Sequence, residues 1–467
     1  MGPRMTVMER KELSPVSNRE RFFTTPGFVA LWASLGLGLP AVAVGATLGS
    51  DQAMGLTYIQ VLLVVPIGLL LGGAIISAVG WMAADTGIPT GLLFRPSLGM
   101  VGSWLASVFQ ALLYIGWTAL EIQIGAAFLE RVASEAGYPI STGVAITIAT
   151  TLVAGLVWMG MWWVSGVLIR RVTFWIALAV VIWVVVEVVT DADLAGLQDR
   201  IPDQSQFWLA IDMVVMFTML WVPLAGDTAR FAKDTSAATS AVGFGFGVGF
   251  AVMLLVGAIV GLAGGMDGTI IGSIDFLVGR AGPLVLLIGV AWLLAGEIDQ
   301  PFGFVYGAST ALATTTLTRA PLWLSLLVVG LGGVTSSLAS ASSLLGLGSF
   351  LLAVFVPVLA ILVADFFVVR RRRYLTDGLF QSDGGPYGKV NVYGLLSFVV
   401  AFAIQQWINP SGPVPWIEIV ERIPAAGTWG AAGVPAVIVS LLVGFGLYSG
   451  LGKWKIEEWE AVSHIRL

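Results

Sequence analysis

Apolar runs of about twenty residues recur along almost the whole 467-residue chain, separated by short polar interruptions. At 1.5 Å per residue such a run crosses the ~30 Å hydrocarbon layer of a bilayer as one helix. The spacing predicts about twelve of them, at residues 28–48, 56–80, 99–128, 141–164, 171–190, 208–229, 239–264, 282–314, 321–340, 343–369, 392–409 and 430–450. The polar interludes 191–206 and 374–391 are too short to form a soluble domain. The chain therefore reads as an all-α membrane protein with a single transmembrane domain, 28–450, between polar tails 1–27 and 451–467.

Gly and Pro punctuate two of the predicted helices. The first carries Gly36, Gly38 and Pro40, and the sixth carries Pro223 and Gly226, which predicts that both are broken. They stand five apart in the helix order. Transporter folds built from two inverted repeats place broken helices in matching positions around a midplane site, so a repeat at 28–190, a second at 208–369 and extra helices over 392–450 are expected. The pairs Gly68/Gly72, Gly243/Gly247 and Gly261/Gly265 predict close helix–helix approach within the chain, and a monomer is expected.

Composition narrows the class. With 57% hydrophobic and 11% charged residues and eighteen tryptophans, a soluble fold is excluded. Cysteine is absent and the single histidine, His464, lies in a charged tail, so no disulfide and no Cys- or His-based metal centre is expected. No phosphate loop or catalytic constellation stands out either, which argues against an enzyme and against a bound cofactor. The N-terminal tail carries Arg4, Arg10, Lys11, Arg19 and Arg21 without the apolar core of a signal peptide. If both tails are cytoplasmic, all of the Lys and Arg except Arg131, Arg200, Arg280 and Arg422 fall on the cytoplasmic side, and the arginine run 370–373 anchors the tenth helix there. A multi-pass protein of the cell membrane is expected.

Candidate chemistry lies with the few acids at membrane depth. Between Arg280 and Arg319 the only charges are Glu297 and Asp299, followed by Pro301, which bends a helix and frees a carbonyl. A carboxylate there costs about 2.5–3.5 kcal/mol at a helix centre, and an all-oxygen cluster suits a proton or a hard cation. The alternative is a pair of acids that only lock helices together. In the third helix Glu121 is the only charge, and Tyr114, Trp117, Thr118, Glu121 and Gly125 share a face. That face suits a flat heterocycle stacked on Trp117 with its N–H edge towards Glu121; the alternative is core packing with Glu121 paired to a neighbouring helix. The three acids are expected to converge on one small chamber beside Trp117. Glu187, Asp212, Asp227 with Arg230, and Asp365 read as structural or gating pairs.

The segments FVALWASLGLGLPAVAVGATLG (28–49), GIPTGLLFRPSLGMVGS (87–103), YIGWTALEIQIGA (114–126), LWVPLAGDTARFA (220–232) and VYGAST (305–310) occur in an order and spacing that resembles the nucleobase:cation symporter family, the purine and cytosine permeases of leucine-transporter fold. The resemblance implies five plus five helices in inverted repeats with two more. It also implies uptake of a nucleobase or related N-heterocycle coupled to Na⁺ or H⁺. By the same resemblance Trp117 stacks the substrate ring, Glu121 contacts its polar edge, and Phe217 or Trp221 covers the other face. Relatives hold sodium between carbonyls at the first-helix break, about Gly36 to Leu39 here, and hydroxyls of the eighth helix. This chain has Ile298 and Asp299 where those hydroxyls fall, so Glu297 and Asp299 become the coupling candidates, and Phe304, where many members have Asn or Asp, is expected among the substrate-binding residues with Thr118. An amino-acid or osmolyte symporter of the same fold is the alternative within transport. A channel or a sensor fits less well, since the charges cluster at one level and no output domain is present.

Overall fold

The structure, a computed structural model, describes residues 13–160, 164–191, 202–263, 268–293, 297–316, 322–381 and 384–463. Arg4, Arg10, Lys11, Arg200, Gly265, Arg319, His464 and most of the 191–206 interlude lie outside the described residues. The described chain is helical throughout, and its only β pairing is an isolated bridge between Phe23 and Ala232. The principal helices are α1 Thr25–Leu35, α2 Leu39–Gly49, α3 Tyr58–Thr86, α4 Arg95–Glu135, α5 Thr142–Met159, α6 Phe174–Asp191, α7 Gln204–Ala229, α8 Phe246–Leu262, α9 Ile270–Ala281, α10 Val285–Trp292, α11 Asp299–Thr316, α12 Leu322–Leu338, α13 Ala341–Ala364, α14 Val392–Ile408 and α15 Ala436–Ser463.

The first predicted span is broken as expected. Its halves α1 and α2 meet at 59°, and Gly38 is extended at the joint (φ −130°, ψ 160°). The sixth is a correction. Residues 204–229 form one helix with Pro223 inside it. The Tyr114 hydroxyl explains why. It accepts a hydrogen bond from Leu224 N–H (2.9 Å) and donates to the Leu220 carbonyl (3.1 Å). A side-chain hydroxyl thus occupies the place of the Leu224-to-Leu220 backbone bond and bridges the opening beside the proline. The Pro223 carbonyl is satisfied as well, by the Thr90 hydroxyl at 2.6 Å.

The predicted eighth span, 282–314, is two helices, α10 and α11. Pro301 lies in the first turn of α11, where its missing N–H costs nothing, and among the described residues the chain bends at Ile298, just before that turn. The helix α9 was not expected. It is only twelve residues long and is separated from α10 by Gly282 at φ 50°, a backbone conformation that ends a helix.

Glycine sets the closest contacts. A Cβ added to Gly257 on α8 would lie 2.0 Å from the Val42 carbonyl of α2, and one added to Gly45 on α2 would lie 2.1 Å from the Leu254 carbonyl of α8. The two helices therefore touch backbone to backbone, and α8 clamps the second half of the broken span. On the other side Gly68 and Gly72 of α3 admit Val214 and Thr218 of α7. The helix α13 is the most enclosed span, while Ile59, Leu63 and Leu70 on α3 and Leu287 on α10 are among the large apolar side chains that face outward, as lipid contact requires.

Candidate functional site

The break between α1 and α2 leaves helix ends inside the apolar core. Gly38 caps α2 without a side chain, so the first N–H groups of α2, the positive end of its dipole, need an outside acceptor. Glu297 supplies one. Its Oε1 accepts from Leu39 N–H at 3.0 Å and from the indole N–H of Trp292 at 2.9 Å. Two residues on, Asp299 Oδ2 accepts from the Ser34 hydroxyl in the last turn of α1 at 2.8 Å. One acid thus holds each half of the broken span, Glu297 from just before α11 and Asp299 from its first turn. Each acid uses only one oxygen. Glu297 Oε2 and Asp299 Oδ1 are buried and have no hydrogen-bond partner.

On the opposite side of the break lies a cavity of about 20 Å³, no more than one water could fill. Its wall includes Gly36, Pro40, Trp117, Glu121, Phe217, Trp221 and Gln300. Glu121 is 2% exposed, and its Oε2 has no partner. The Trp117 ring meets Phe217 edge-on (6.1 Å, 76°) and Phe304 obliquely (6.2 Å, 40°), and Trp221 packs on Phe304 at 4.8 Å. Phe217 and Trp221 both reach the wall, so the two sixth-span candidates stand together rather than in competition.

Four expected residues sit elsewhere. Thr118 turns its hydroxyl to the Tyr114 carbonyl (2.7 Å) and its methyl towards Gly332 of α12, away from the cavity. Phe304, fully buried, forms the base under Trp117, Trp221 and Tyr114 and is not in the wall. The single chamber expected for the three acids is divided: Glu121 lines the cavity, while Glu297 and Asp299 lie behind the break, still within electrostatic reach of it.

Sequence reasoning missed Gln300, Ser34 and Trp292. Gln300 lines the cavity and presses so closely on Gly38 that an added Cβ there would lie 2.0 Å from its Nε2. Its signal was available, as a polar residue beside two acids in an apolar stretch, but it carries no charge. Ser34 and Trp292 carried no signal, because an ordinary serine or tryptophan in a membrane helix has many uses.

A larger cavity of about 610 Å³ lies farther along α4, lined by Gln123, Ile124, Ala127, Ile270, Ser336 and Leu345 among others. The Gln123 amide nitrogen donates to the Ser336 and Ala339 carbonyls, and its oxygen is unpartnered.

The other buried acids are fully engaged. Asp212 accepts from Val437 and Ile438 N–H at the start of α15 (3.0 and 2.9 Å). Asp227 accepts from Thr90 N–H and the Gln110 amide, both at 3.0 Å. Asp365 accepts from the hydroxyls of Tyr374 and Tyr448, both at 2.7 Å, and pairs with Arg370 at 3.2 Å. Glu187 takes only the indole N–H of Trp183, one turn away on its own helix. These match the structural reading of that set, with Asp212 bonded to backbone N–H and Asp227 lying within reach of the Arg230 charge in addition to its bonds to Thr90 and Gln110.

Comparison with known proteins follows the same lines. Residues 15–421 match the family model described as permease for cytosine/purines, uracil, thiamine, allantoin. Cytosine permease of Escherichia coli K12 is 26% identical over 386 residues, covering 81% of this chain and 85% of the relative. Among solved structures, Mhp1, a nucleobase-cation-symport-1 family transporter in a closed conformation with bromovinylhydantoin bound, superposes with a TM-score of 0.73 at 18% identity over 96% of both chains. Its inward-facing form gives 0.71 at 19% identity, over 95% of this chain and 94% of the other. The fold is therefore that of Mhp1, and the protein is a multi-pass membrane protein that belongs to the family of permeases for cytosine, purines, uracil, thiamine and allantoin.

Proposed function

We propose that this permease is a symporter that carries a planar N-heterocycle, such as cytosine, a purine or an aminopyrimidine, together with Na⁺ or H⁺. The observation that carries the reading is the pairing of an aromatic wall with an idle carboxylate oxygen: Trp117, Phe217 and Trp221 around the Glu121 side chain, whose Oε2 has no partner. Aromatic faces stack a flat ring, and an ionised carboxylate only accepts hydrogen bonds, so the ligand is one rich in N–H donors. The cavity as it stands is too small for a base. Admitting one requires α1, α2 and α7 to move relative to α4, the rocking expected of a repeat-built transporter.

Coupling is assigned to Glu297 and Asp299. A buried carboxylate with an idle oxygen is satisfied by a proton or by a cation. Among the described residues no group of three or more acidic, His or Cys side chains converges as a metal site. A sodium ion would therefore combine Asp299 with backbone carbonyls at Gly36 to Leu39. Filling either site tightens the joint between α1 and α2 and so favours one of the two access states. Both termini are placed in the cytoplasm by the distribution of Lys and Arg.

A thermal-shift screen of the purified protein tests this reading. Nucleobases and aminopyrimidines should raise the melting temperature, more so with Na⁺ or at the lower of two pH values, and amino acids should not. Stabilisation by an aliphatic amino acid and by no heterocycle would overturn it.

A further inference from the structure

The four-arginine run that ends α13 does not act as one patch. Arg370 turns inward to Asp365, 3.2 Å away, and its guanidinium lies over the Tyr387 ring at 4.9 Å. Arg372 lies over Trp81 at 5.3 Å, with Asp85 as its neighbouring charge. Among the described residues no acid or aromatic ring pairs with Arg371 or Arg373. With Lys453 of α15 and the apolar side chains Val368, Val369 and Ile456 they line a cavity of about 260 Å³. No carboxylate is among its described lining residues.

Two further observations give this cavity a ligand. The first is its depth. The apolar span through α13 ends at Val369, and the span through α15 ends at Trp454, so the cavity opens where two membrane crossings meet the surface. Trp454, 55% exposed, follows Lys453 at the end of that span, as interfacial tryptophans do. The second is the backbone. Arg371 and Arg372 have φ of 49° and 66°, the left-handed region that side chains other than glycine rarely adopt. Glycine or asparagine would make this reversal with less strain, yet arginine side chains are kept here. The reversal sends neighbouring side chains in different directions: Arg372 goes to Trp81, Arg371 and Arg373 go to the cavity, and Arg370, held by Asp365, contributes to the cavity's edge.

The geometry points to a binding site for the phosphate headgroup of an anionic phospholipid, with Arg371, Arg373 and Lys453 on the phosphate and Val368, Val369 and Ile456 against the upper acyl chain. Basic pockets between membrane helices bind anionic headgroups by this combination of charge and apolar rim. Bound there, the lipid ties the end of α13 to α15, next to the Asp365 network that already joins them through Tyr448. The inference is independent of the transported substrate.

The test uses the full-length protein in neutral detergent, with melting temperature as the readout. Dioleoylphosphatidylglycerol micelles should stabilise it and dioleoylphosphatidylcholine should not. The variant R371Q/R373Q/K453Q should lose at least four-fifths of the phosphatidylglycerol shift while melting at the wild-type temperature without lipid. The variant R372Q, which also removes a cation from the run but not from the cavity, should keep most of the shift. Equal losses in both variants would mean unspecific surface charge, and would overturn the site. An equal shift from inorganic phosphate alone would assign the cavity to a soluble anion and overturn the lipid. If the triple variant misfolds, native mass spectrometry of R371Q and K453Q singly decides. Retained phosphatidylglycerol adducts in both contradict the proposal.

Discussion

Two groups of carboxylates are buried in this membrane protein, and they differ in one respect. Asp212, Asp227 and Asp365 use both oxygens, on helix N–H groups, an amide, two tyrosine hydroxyls and an arginine. Glu121, Glu297 and Asp299 are buried to the same degree, yet each leaves one oxygen without a partner. Burying an unsatisfied polar group is costly, so a fold that needed these acids only as fasteners would have satisfied them as it satisfies the others. All three idle oxygens lie around the one broken span. On the proposed function, the difference separates acids that hold the structure from acids with an oxygen left for substrate or coupling ion.

The sharpest way to break this comparison is to remove a satisfied acid. Asp365→Ala leaves Arg370, whose side chain is only 4% exposed, without its partner. Stability should fall by about 3–5 kcal/mol, read as a lower melting temperature and poor recovery from the membrane. An unchanged melting temperature would mean that full satisfaction does not mark a structural role. The opposite expectation holds for Glu121→Gln. It should leave the fold almost unchanged and weaken binding of the heterocycle found in the thermal-shift screen about 10- to 100-fold, the worth of a hydrogen bond to a charged group, measured by calorimetry. Tyr114→Phe extends the test to a hydroxyl. Losing it strands the Leu220 carbonyl and the Leu224 N–H, and a cost of about 1–3 kcal/mol should appear in thermal unfolding.

The smallest effect belongs to a surface acid. Asp203 accepts from the Ser205 hydroxyl and from Ser205 N–H at the start of α7, and these bonds hold its carboxyl below the usual aspartate range. Its contribution is therefore fully present above the ordinary value of about 3.9 and is lost as pH falls through the lower folded value. Asp203→Asn should flatten the acid limb of the stability profile slightly and change nothing at neutral pH.

Much of this was legible in the chain itself. Apolar run length located most of the apolar helices, because backbone desolvation leaves a bilayer-crossing chain little choice but helix, but the run 282–314 straddles two helices, and the described residues give nine or ten spans against about twelve expected. Gly36, Gly38 and Pro40 announced the first break because each acts on the backbone locally. Pro223 gave the same local signal and no break followed, since the remedy, the Tyr114 hydroxyl, comes from a helix more than a hundred residues earlier in the chain. The acids stood out as charges in apolar surroundings. Which of their oxygens would be left idle depends on Ser34, Trp292 and Leu39 meeting them across the fold, and no local pattern encodes that. The short helix α9 escaped for a different reason: a twelve-residue amphipathic segment lies below the length at which periodicity alone separates a helix from a loop.

The central claim is that the idle oxygens of Glu297 and Asp299 carry the coupling ion. Reconstituted vesicles loaded with buffer and given radiolabelled cytosine test it in one assay, comparing accumulation under an imposed Na⁺ or pH gradient with exchange at equilibrium. Glu297→Gln and Asp299→Asn can each keep the hydrogen bonds to α2 and α1. They should abolish gradient-driven accumulation with the effective ion while leaving exchange running. Accumulation at the wild-type level in both variants would contradict the account.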